Sequence, residues 1–219
     1  ALLIGLIPAI HNVGWLLPQL LSARKIASLS LLKPLVVKNT IQERFPFFGL
    51  AIVAWFIAFK YPTIGLVLTF LLLIWQGLGA GITANAWQNM IGKIIPDDFR
   101  ATFFGLQSAA ANLLASGGAI ISGFLLEKLP SPLDYTLCLL ISSGFMALSW
   151  VFLNLTREEP RFVPPVEPDH PGLLKTAKGI LRKDHQFTWF LVARIVSQIG
   201  MMAFAFYTIY AVKYHQMTE

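Results

Sequence analysis

Polar side chains recur at helical spacing inside segments that are otherwise apolar. His11, Trp15 and Gln19 follow one another every fourth residue, with Asn12 beside them. Residues four apart share one face of an α-helix, so this pattern predicts a polar stripe. If the apolar segments cross a membrane, its hydrocarbon core would tolerate such groups poorly. The stripes would then face a helix bundle or a water-filled cavity. The candidates for lining such a cavity are His11, Asn12, Trp15, Gln19, Gln76, Gln107, Asn112, Arg194 and Gln198.

A second interpretation of the stripes stays open. The same groups could hydrogen-bond between helices and hold them together, at about 0.6 kcal/mol per bond. His11 could relay protons or be a hydrogen-bonded core residue. The small residues crowded into 77–86 and 109–123 also allow helix backbones to approach closely, with or without a functional role.

Charged residues inside the apolar segments are the strongest indication of functional positions. Glu43, Arg44 and Arg194 stand in such segments, where a charge costs at least about 2.5–3.5 kcal/mol at mid-bilayer. Glu43 and Arg44 point about 100° apart, so we expect no good pair between them; Arg44 could instead reach the membrane interface. Arg194 could bind an anion or form a structural ion pair. Glu43, Arg44 and Arg100 are the candidates for coupling or gating.

The sequence has no pattern typical of enzyme chemistry. It contains no phosphate loop, no nucleotide fingerprint, no nucleophile elbow and no Cys/His metal spacing. We therefore expect no enzymatic activity, no cofactor and no metal site. The net charge of +6 does not indicate nucleic-acid binding, because the basic residues lie beside apolar segments where a membrane explains them.

Composition predicts an all-α integral membrane protein. Of 219 residues, 56% are hydrophobic and only 13% are charged, about half the charge of a soluble domain. A spanning helix needs about 20 apolar residues, and the charge-free stretches are too long and too weakly alternating for barrel strands. Six transmembrane helices are predicted, at about 1–23, 34–60, 62–92, 101–127, 134–155 and 187–212.

The loops divide unevenly in basic residues, which predicts the orientation. Eleven Lys and Arg residues lie in the loops after the first, third and fifth spans, against three in the others. The first group should therefore be cytoplasmic. It includes the Pro-rich, charged segment 157–186, read as a linker whose part from Leu173 to Leu181 predicts a short amphipathic helix on the membrane surface. Because the chain begins within a span, we expect an internal fragment of a longer protein.

Three local patterns and the linker resemble the major facilitator superfamily, over helices two to seven of twelve. Gln76-Gly77-Leu78-Gly79-Ala80-Gly81 is similar to the family's fourth-helix signature. Pro96-Asp97-Asp98-Phe99-Arg100, followed by Phe104-Gly105, is similar to its turn into the fifth helix. The long charged linker and the seventh-helix residues Arg194 and Phe204 to Tyr210 also suit the family.

The resemblance implies an architecture and a mechanism. Residues 1–156 would supply five helices of a first six-helix bundle, and 187–219 the first helix of a second, with about six further helices missing. Two such bundles rock about a central site to give alternating access. The implied function is a secondary transporter that moves a small solute across a plasma membrane, with a coupling proton or ion among its partners. We expect this membrane to be the inner membrane of a bacterium.

Departures from the family pattern limit what is implied. The loop 22–34 lacks the family's common Gly-x-x-x-Asp-x-x-Gly-Arg-Arg sequence, and Leu73 replaces the arginine of many proton-coupled members. Proton-coupled drug export is therefore not supported. The alternative from another class is a non-transporting six-span scaffold or assembly subunit, in which the stripes would join helices. An intramembrane enzyme is disfavoured because paired acids and a His/acid metal set are missing from the sequence.

Overall fold

The computed structural model describes residues 2–162, 173–200, 206 and 210. They form helices, turns and extended connections, with no strand among them. The helices are α1 (Leu2–Ala27), α2 (Lys33–Val53), α3 (Pro62–Ile94), α4 (Asp97–Lys128), α5 (Leu133–Leu155), α6 (Leu173–Lys183) and α7 (His185–Gly200). α2 continues as a π-helical turn over Ala54–Ala58.

Four helical stretches in this part of the chain are long and apolar enough to cross a membrane. They are Lys33–Ala58, Pro62–Ile94, Asp97–Lys128 and Leu133–Leu155, which match the second to fifth predicted spans closely. α1 covers the first predicted span, and α7 covers the start of the sixth. The count of six spans stays a prediction, because four stretches qualify and most of the remainder of the sixth lies outside the described residues.

The chain divides into two compact units. Helices α2 to α5, with α1 from residue 6 onward, belong to one unit, called here the first. The initial residues of α1, with α6 and α7, belong to the other. Within the first unit α2 packs against α3 and α5, and α4 packs against α5. α6 occupies the segment predicted to be an amphipathic helix, and its place on a membrane surface stays a prediction.

Helix α3 approaches two neighbours closely through its glycines. A methyl group added at Gly81 would lie 2.6 Å from the carbonyl oxygen of Trp15 on α1, and one added at Gly79 would lie 2.7 Å from the backbone of Gln42 on α2. Gly77 packs against Gly14 of α1. The small residues of this segment therefore serve helix packing, as one of the two sequence interpretations held.

A cluster of larger apolar side chains fills the end of the unit where α1 ends and α2 begins. Leu32, Val36 and Met90 are fully buried there, together with Ile26 and Ala86. α2 starts at this point because Pro34, in its first turn, fits the backbone of a helix start and lacks an N–H that would be unsatisfied there. The cluster holds α1, α2 and α3 together next to the turn between α1 and α2.

A test of the glycine contacts is the variant Gly81→Ala in the full-length protein. Its methyl group would meet backbone atoms of α1, which cannot rotate away, so α1 and α3 must separate. We expect a destabilisation of about 1–3 kcal/mol, seen as a lower midpoint of thermal unfolding in detergent. Gly118→Ala is the matched control, because no described atom lies within 4 Å of that position. Equal midpoints for the two variants would contradict the packing role.

Candidate functional site

Two of the predicted cavity residues meet between α1 and α3. The Nδ1 atom of His11 lies 3.2 Å from Oε1 of Gln76, across the helix pair that Gly14 and Gly77 bring together. Both side chains remain accessible at this contact. The pair joins an imidazole, which can donate and accept hydrogen bonds, to an amide whose NH₂ group is a hydrogen-bond donor.

The remaining predicted residues of α1 continue along the same helix. Gln19 donates from Nε2 to the carbonyl of Trp15 at 2.9 Å, and the Gln19 carbonyl accepts a bond of 2.7 Å from Nδ2 of Asn85 on α3. Asn12 is exposed beside His11. The stripe on α1 thus contacts α3 at His11 and again two turns later at Gln19.

A cavity of about 460 Å³ opens between α1, α2, α3 and α5. Predicted candidates Trp15, Glu43 and Arg44 line it. The sequence patterns did not single out most of the other lining residues, which are Thr40, Ala80, Thr83, Ala84, Trp87, Gln88, Ser149, Phe152, Leu153 and Thr156. The three threonines and the one serine among them are spaced irregularly, so they form no stripe in the sequence.

Arg44 is held by oxygen atoms of α2 and α5. Its guanidinium donates to the carbonyl of Met146 at 3.0 Å, to the carbonyl of Thr40 at 3.3 Å and to the hydroxyl of Ser149 at 3.2 Å. The structure records no ion pair between Arg44 and Glu43, in line with their divergent directions on the helix. Arg44 therefore joins α2 to α5 through hydrogen bonds.

Arg100 closes the turn between α3 and α4. It pairs with Asp97 at 2.7 Å and donates to the carbonyls of Ile95, at 3.2 Å, and Gly92. These carbonyls belong to the end of α3, where a cation is favoured by the helix dipole. The arginine thus caps a helix end, and its predicted part in gating remains a prediction.

The predicted candidates on α4 and α7 are exposed. Asn112 donates to the carbonyl of Ser108 on its own helix, and Ser116 donates to the carbonyl of Asn112. Gln107 is exposed on the same helix. Arg194 and Gln198 lie one turn apart on α7 of the other unit, also exposed. Within the described residues no three His, Cys, Asp or Glu side chains gather as a metal site.

An ion pair that the sequence patterns did not predict lies beside the α1–α2 turn. The Glu158 carboxylate, only 1% exposed, is 2.8 Å from Nζ of Lys93 on α3. It also accepts backbone hydrogen bonds from Leu32, at 2.8 and 3.0 Å, and from Lys33 at 2.6 Å. Lys93 donates a further bond to the carbonyl of Ser30. Three parts of the chain meet at this one carboxylate, namely the segment after α5, the start of α2 and the end of α3.

The surroundings of Glu158 lower the pKa of its carboxyl. Burial alone would raise the pKa, because it disfavours the charged form. The hydrogen bond from Lys93, the backbone bonds from Lys33 and Leu32 and the charge of Lys93 together outweigh burial. The carboxylate is therefore ionised at neutral pH.

The comparison with known protein families identifies one family. The family model of the Major Facilitator Superfamily matches residues 41–218. The chain belongs to this superfamily. The matched segment runs from within α2 through α7 and covers most of the sequence. No curated protein and no solved structure matches the chain significantly.

Membership in the Major Facilitator Superfamily gives the residues a context. Proteins of the family are transporters that bind small-molecule substrates in a lipid bilayer, and they are not typically enzymes. The apolar helices and the family together make this a multi-pass membrane protein. Polar pairs such as His11 and Gln76 therefore lie in helices of a membrane transporter.

The pH dependence of stability tests the Glu158 contacts. A carboxyl whose pKa is lowered by folding adds stability above its unfolded pKa, and loses that stability as the pH falls through the folded pKa. Glu158→Gln should cost about 1.5–3 kcal/mol at neutral pH, since it removes hydrogen bonds to a charged group. The difference in unfolding midpoint from the wild type should be constant above about pH 4.5 and shrink at lower pH. Glu159→Gln, at the exposed neighbouring position, should match the wild type throughout; a pH-independent difference for Glu158→Gln would refute the argument.

Proposed function

We propose that the protein is a secondary transporter that moves a small solute across the plasma membrane by alternating access. The observation that carries this proposal is the pair of His11 and Gln76 between two helices of a Major Facilitator Superfamily member. Lipid exposure of such groups is costly, so polar faces on several helices favour an aqueous path. The substrate would contact His11, Asn12, Trp15, Gln19 and Gln76 on α1 and α3.

The two units fit the two-bundle plan of such transporters. Helices α1 to α5 would supply five of the six helices of the first bundle, and 157–186 the cytoplasmic linker. α7 would begin the second bundle and carry the candidates Arg194 and Gln198, while α4 of the first bundle would carry Gln107 and Asn112. About six further helices of a longer chain complete the protein, which we place in a bacterial inner membrane.

Coupling would use the charged residues of the first unit. Glu43 lines the cavity between α1, α2, α3 and α5, to which α1, the helix of His11, contributes Trp15. A proton or a cation binding at Glu43 would change the charge felt by His11. Arg44 links α2 to α5, and Arg100 caps the end of α3. A change of conformation that moves these helices would break or remake the contacts of either arginine.

Water access separates a transporter from a non-transporting scaffold. In the full-length protein with Cys138 replaced by alanine, Asn112→Cys and Gln198→Cys should react with a membrane-impermeant thiol reagent, because both positions line the proposed path. Leu113→Cys and Ile199→Cys are the controls, since they are exposed apolar neighbours that should face lipid. Four unreactive cysteines would favour the scaffold, in which polar stripes only join helices.

Removal of the charge at Arg194 tests its part in the site. We expect Arg194→Gln to insert normally and to lower the initial uptake rate at least tenfold, as expected for loss of a hydrogen-bonded charge worth about 1.4 kcal/mol or more. The measurement is the initial rate at which cells that express the protein take up anionic solutes. The rate in cells that carry the empty vector is subtracted. Gln186→Ala, near the start of α7, is the control for expression and insertion. Uptake that is unchanged in Arg194→Gln would show that this arginine has no role in transport.

A further inference from the structure

The cavity between α1, α2, α3 and α5 is built from whole helix faces. α3 lines it with residues of one face at helical spacing, which are Ala80, Thr83, Ala84, Trp87 and Gln88. α2 and α5 contribute residues at the same spacing of three and four, and α1 contributes Trp15. His11 and Gln76 do not line this cavity. The first unit therefore contains a polar space that is distinct from the contact between His11 and Gln76.

Small side chains leave the room for a ligand. Ala80 and Ala84 of α3 are buried and line the cavity, where larger side chains would fill it. The volume of about 460 Å³ falls within the range of small-molecule sites, about 300–1,000 Å³. Thr156, the residue after the end of α5, also lines the cavity. The space thus extends to the end of the unit that is predicted to be cytoplasmic, where a polar ligand can enter from water.

The Glu43 carboxylate in this cavity lacks a partner. The residue is half-buried, and within the described part of the chain no hydrogen bond or salt bridge reaches its carboxylate. Its neighbour Gln42 differs, because the Gln42 Oε1 atom accepts a bond of 2.7 Å from Trp75. Charged side chains inside a membrane protein pair with other groups or mark a ligand site. An ammonium group of a ligand would satisfy this carboxylate.

The Arg44 guanidinium lines the same cavity and has unused donors. A guanidinium carries five N–H groups. The Nε, Nη1 and Nη2 atoms of Arg44 each donate one bond, to Met146, Thr40 and Ser149 respectively. One N–H group on each of Nη1 and Nη2 therefore has no acceptor among the described residues. These donors suit a carboxylate, and the three existing bonds already hold the guanidinium in place.

The two charges of the cavity select the charge of its ligand. Among the lining residues Glu43 and Arg44 carry charge, one of each sign. A simple cation would be attracted by Glu43 and repelled by Arg44, and a simple anion would meet the reverse. A zwitterion satisfies both residues at once.

We propose that this cavity binds an α-amino acid in its zwitterionic form. The ammonium group binds the Glu43 carboxylate, and the amino-acid carboxylate binds the Arg44 guanidinium. The amino-acid side chain lies among Trp15, Trp87 and Phe152, which line the cavity. Rings prefer stacked or edge-to-face contacts with other rings, so an aromatic amino acid fits these walls best.

Three probes that share a phenyl group test the need for both charges. L-phenylalanine carries an ammonium group and a carboxylate, phenethylamine lacks the carboxylate, and hydrocinnamate lacks the ammonium group. Their affinities for the full-length protein in detergent are measured by isothermal titration calorimetry. L-phenylalanine should bind at least tenfold more tightly than either analogue, a difference of about 1.4 kcal/mol, because each analogue leaves one charged residue of the cavity without its partner.

Variants of the lining residues locate the binding. Glu43→Gln keeps the size of the side chain and should weaken L-phenylalanine at least tenfold, while hydrocinnamate binds as well as before or better, because Arg44 is then unopposed. Ala84→Leu changes no charge but fills the cavity, so it should abolish binding of L-phenylalanine. Glu127→Gln, at an exposed acid of α4, is the matched control and should bind like the wild type. If Ala84→Leu does not fold, Arg44→Lys replaces it; this variant keeps the charge, loses the forked donors and should weaken L-phenylalanine but not phenethylamine.

Three results would each overturn the amino-acid site. The first is a wild-type protein that does not bind L-phenylalanine. The second is an equal affinity for L-phenylalanine and phenethylamine, which would show a site for cations. The third is an unchanged affinity for L-phenylalanine in Glu43→Gln, which would place the amino acid elsewhere. Because binding is measured without transport, any of these results would leave the proposed transport function standing, and failure of transport would leave the amino-acid site standing.

Discussion

The close approach of helix backbones at α3 is the constraint on which the first unit depends. In lipid, apolar side chains gain little by leaving their surroundings, so helices associate where small residues let backbones touch. Gly77 and Gly81 meet α1 and Gly79 meets α2. This approach also sets the polar contacts, because His11 reaches Gln76, and Gln42 accepts a bond from Trp75 at 2.7 Å, only when the helix axes are near. The glycines therefore position the candidate site as well as the helices.

A different kind of packing holds the other end of the unit. There, bulky side chains such as Leu32, Val36 and Met90 exclude water beneath the α1–α2 turn. Water-poor surroundings strengthen the attraction between Glu158 and Lys93, and they make an unpaired carboxylate costly. The two charges are acceptable there because the carboxylate also receives backbone N–H groups. The apolar cluster and the contacts of Glu158 thus share Leu32, whose side chain is buried in the cluster and whose N–H binds the carboxylate.

Local pattern predicted the helices and many candidate residues, and it failed where partners are distant in sequence. Apolar runs predicted α2 to α5 within a few residues, and the glycines of α3 predicted close packing. His11 and Gln76 were each singled out, but their pairing depends on how α1 crosses α3. Glu158 looked like one more charge in a hydrophilic linker. Its burial depends on Leu32, 126 residues earlier, and on a turn whose shape no periodicity encodes. The cavity residues Thr40 and Ser149 were missed for the same reason.

The polar groups of α4 differ from those of α1 and α3 in a way that bears on function. On α1, His11 finds a partner on another helix, whereas Asn112 and Ser116 on α4 bond to carbonyls of their own helix. An asparagine amide has four hydrogen-bonding positions, so one bond within the helix leaves most of them unused. Hydrocarbon would penalise those positions, and water or substrate would satisfy them. The bond within α4 therefore leaves the Asn112 amide able to bind water or substrate in the path proposed above.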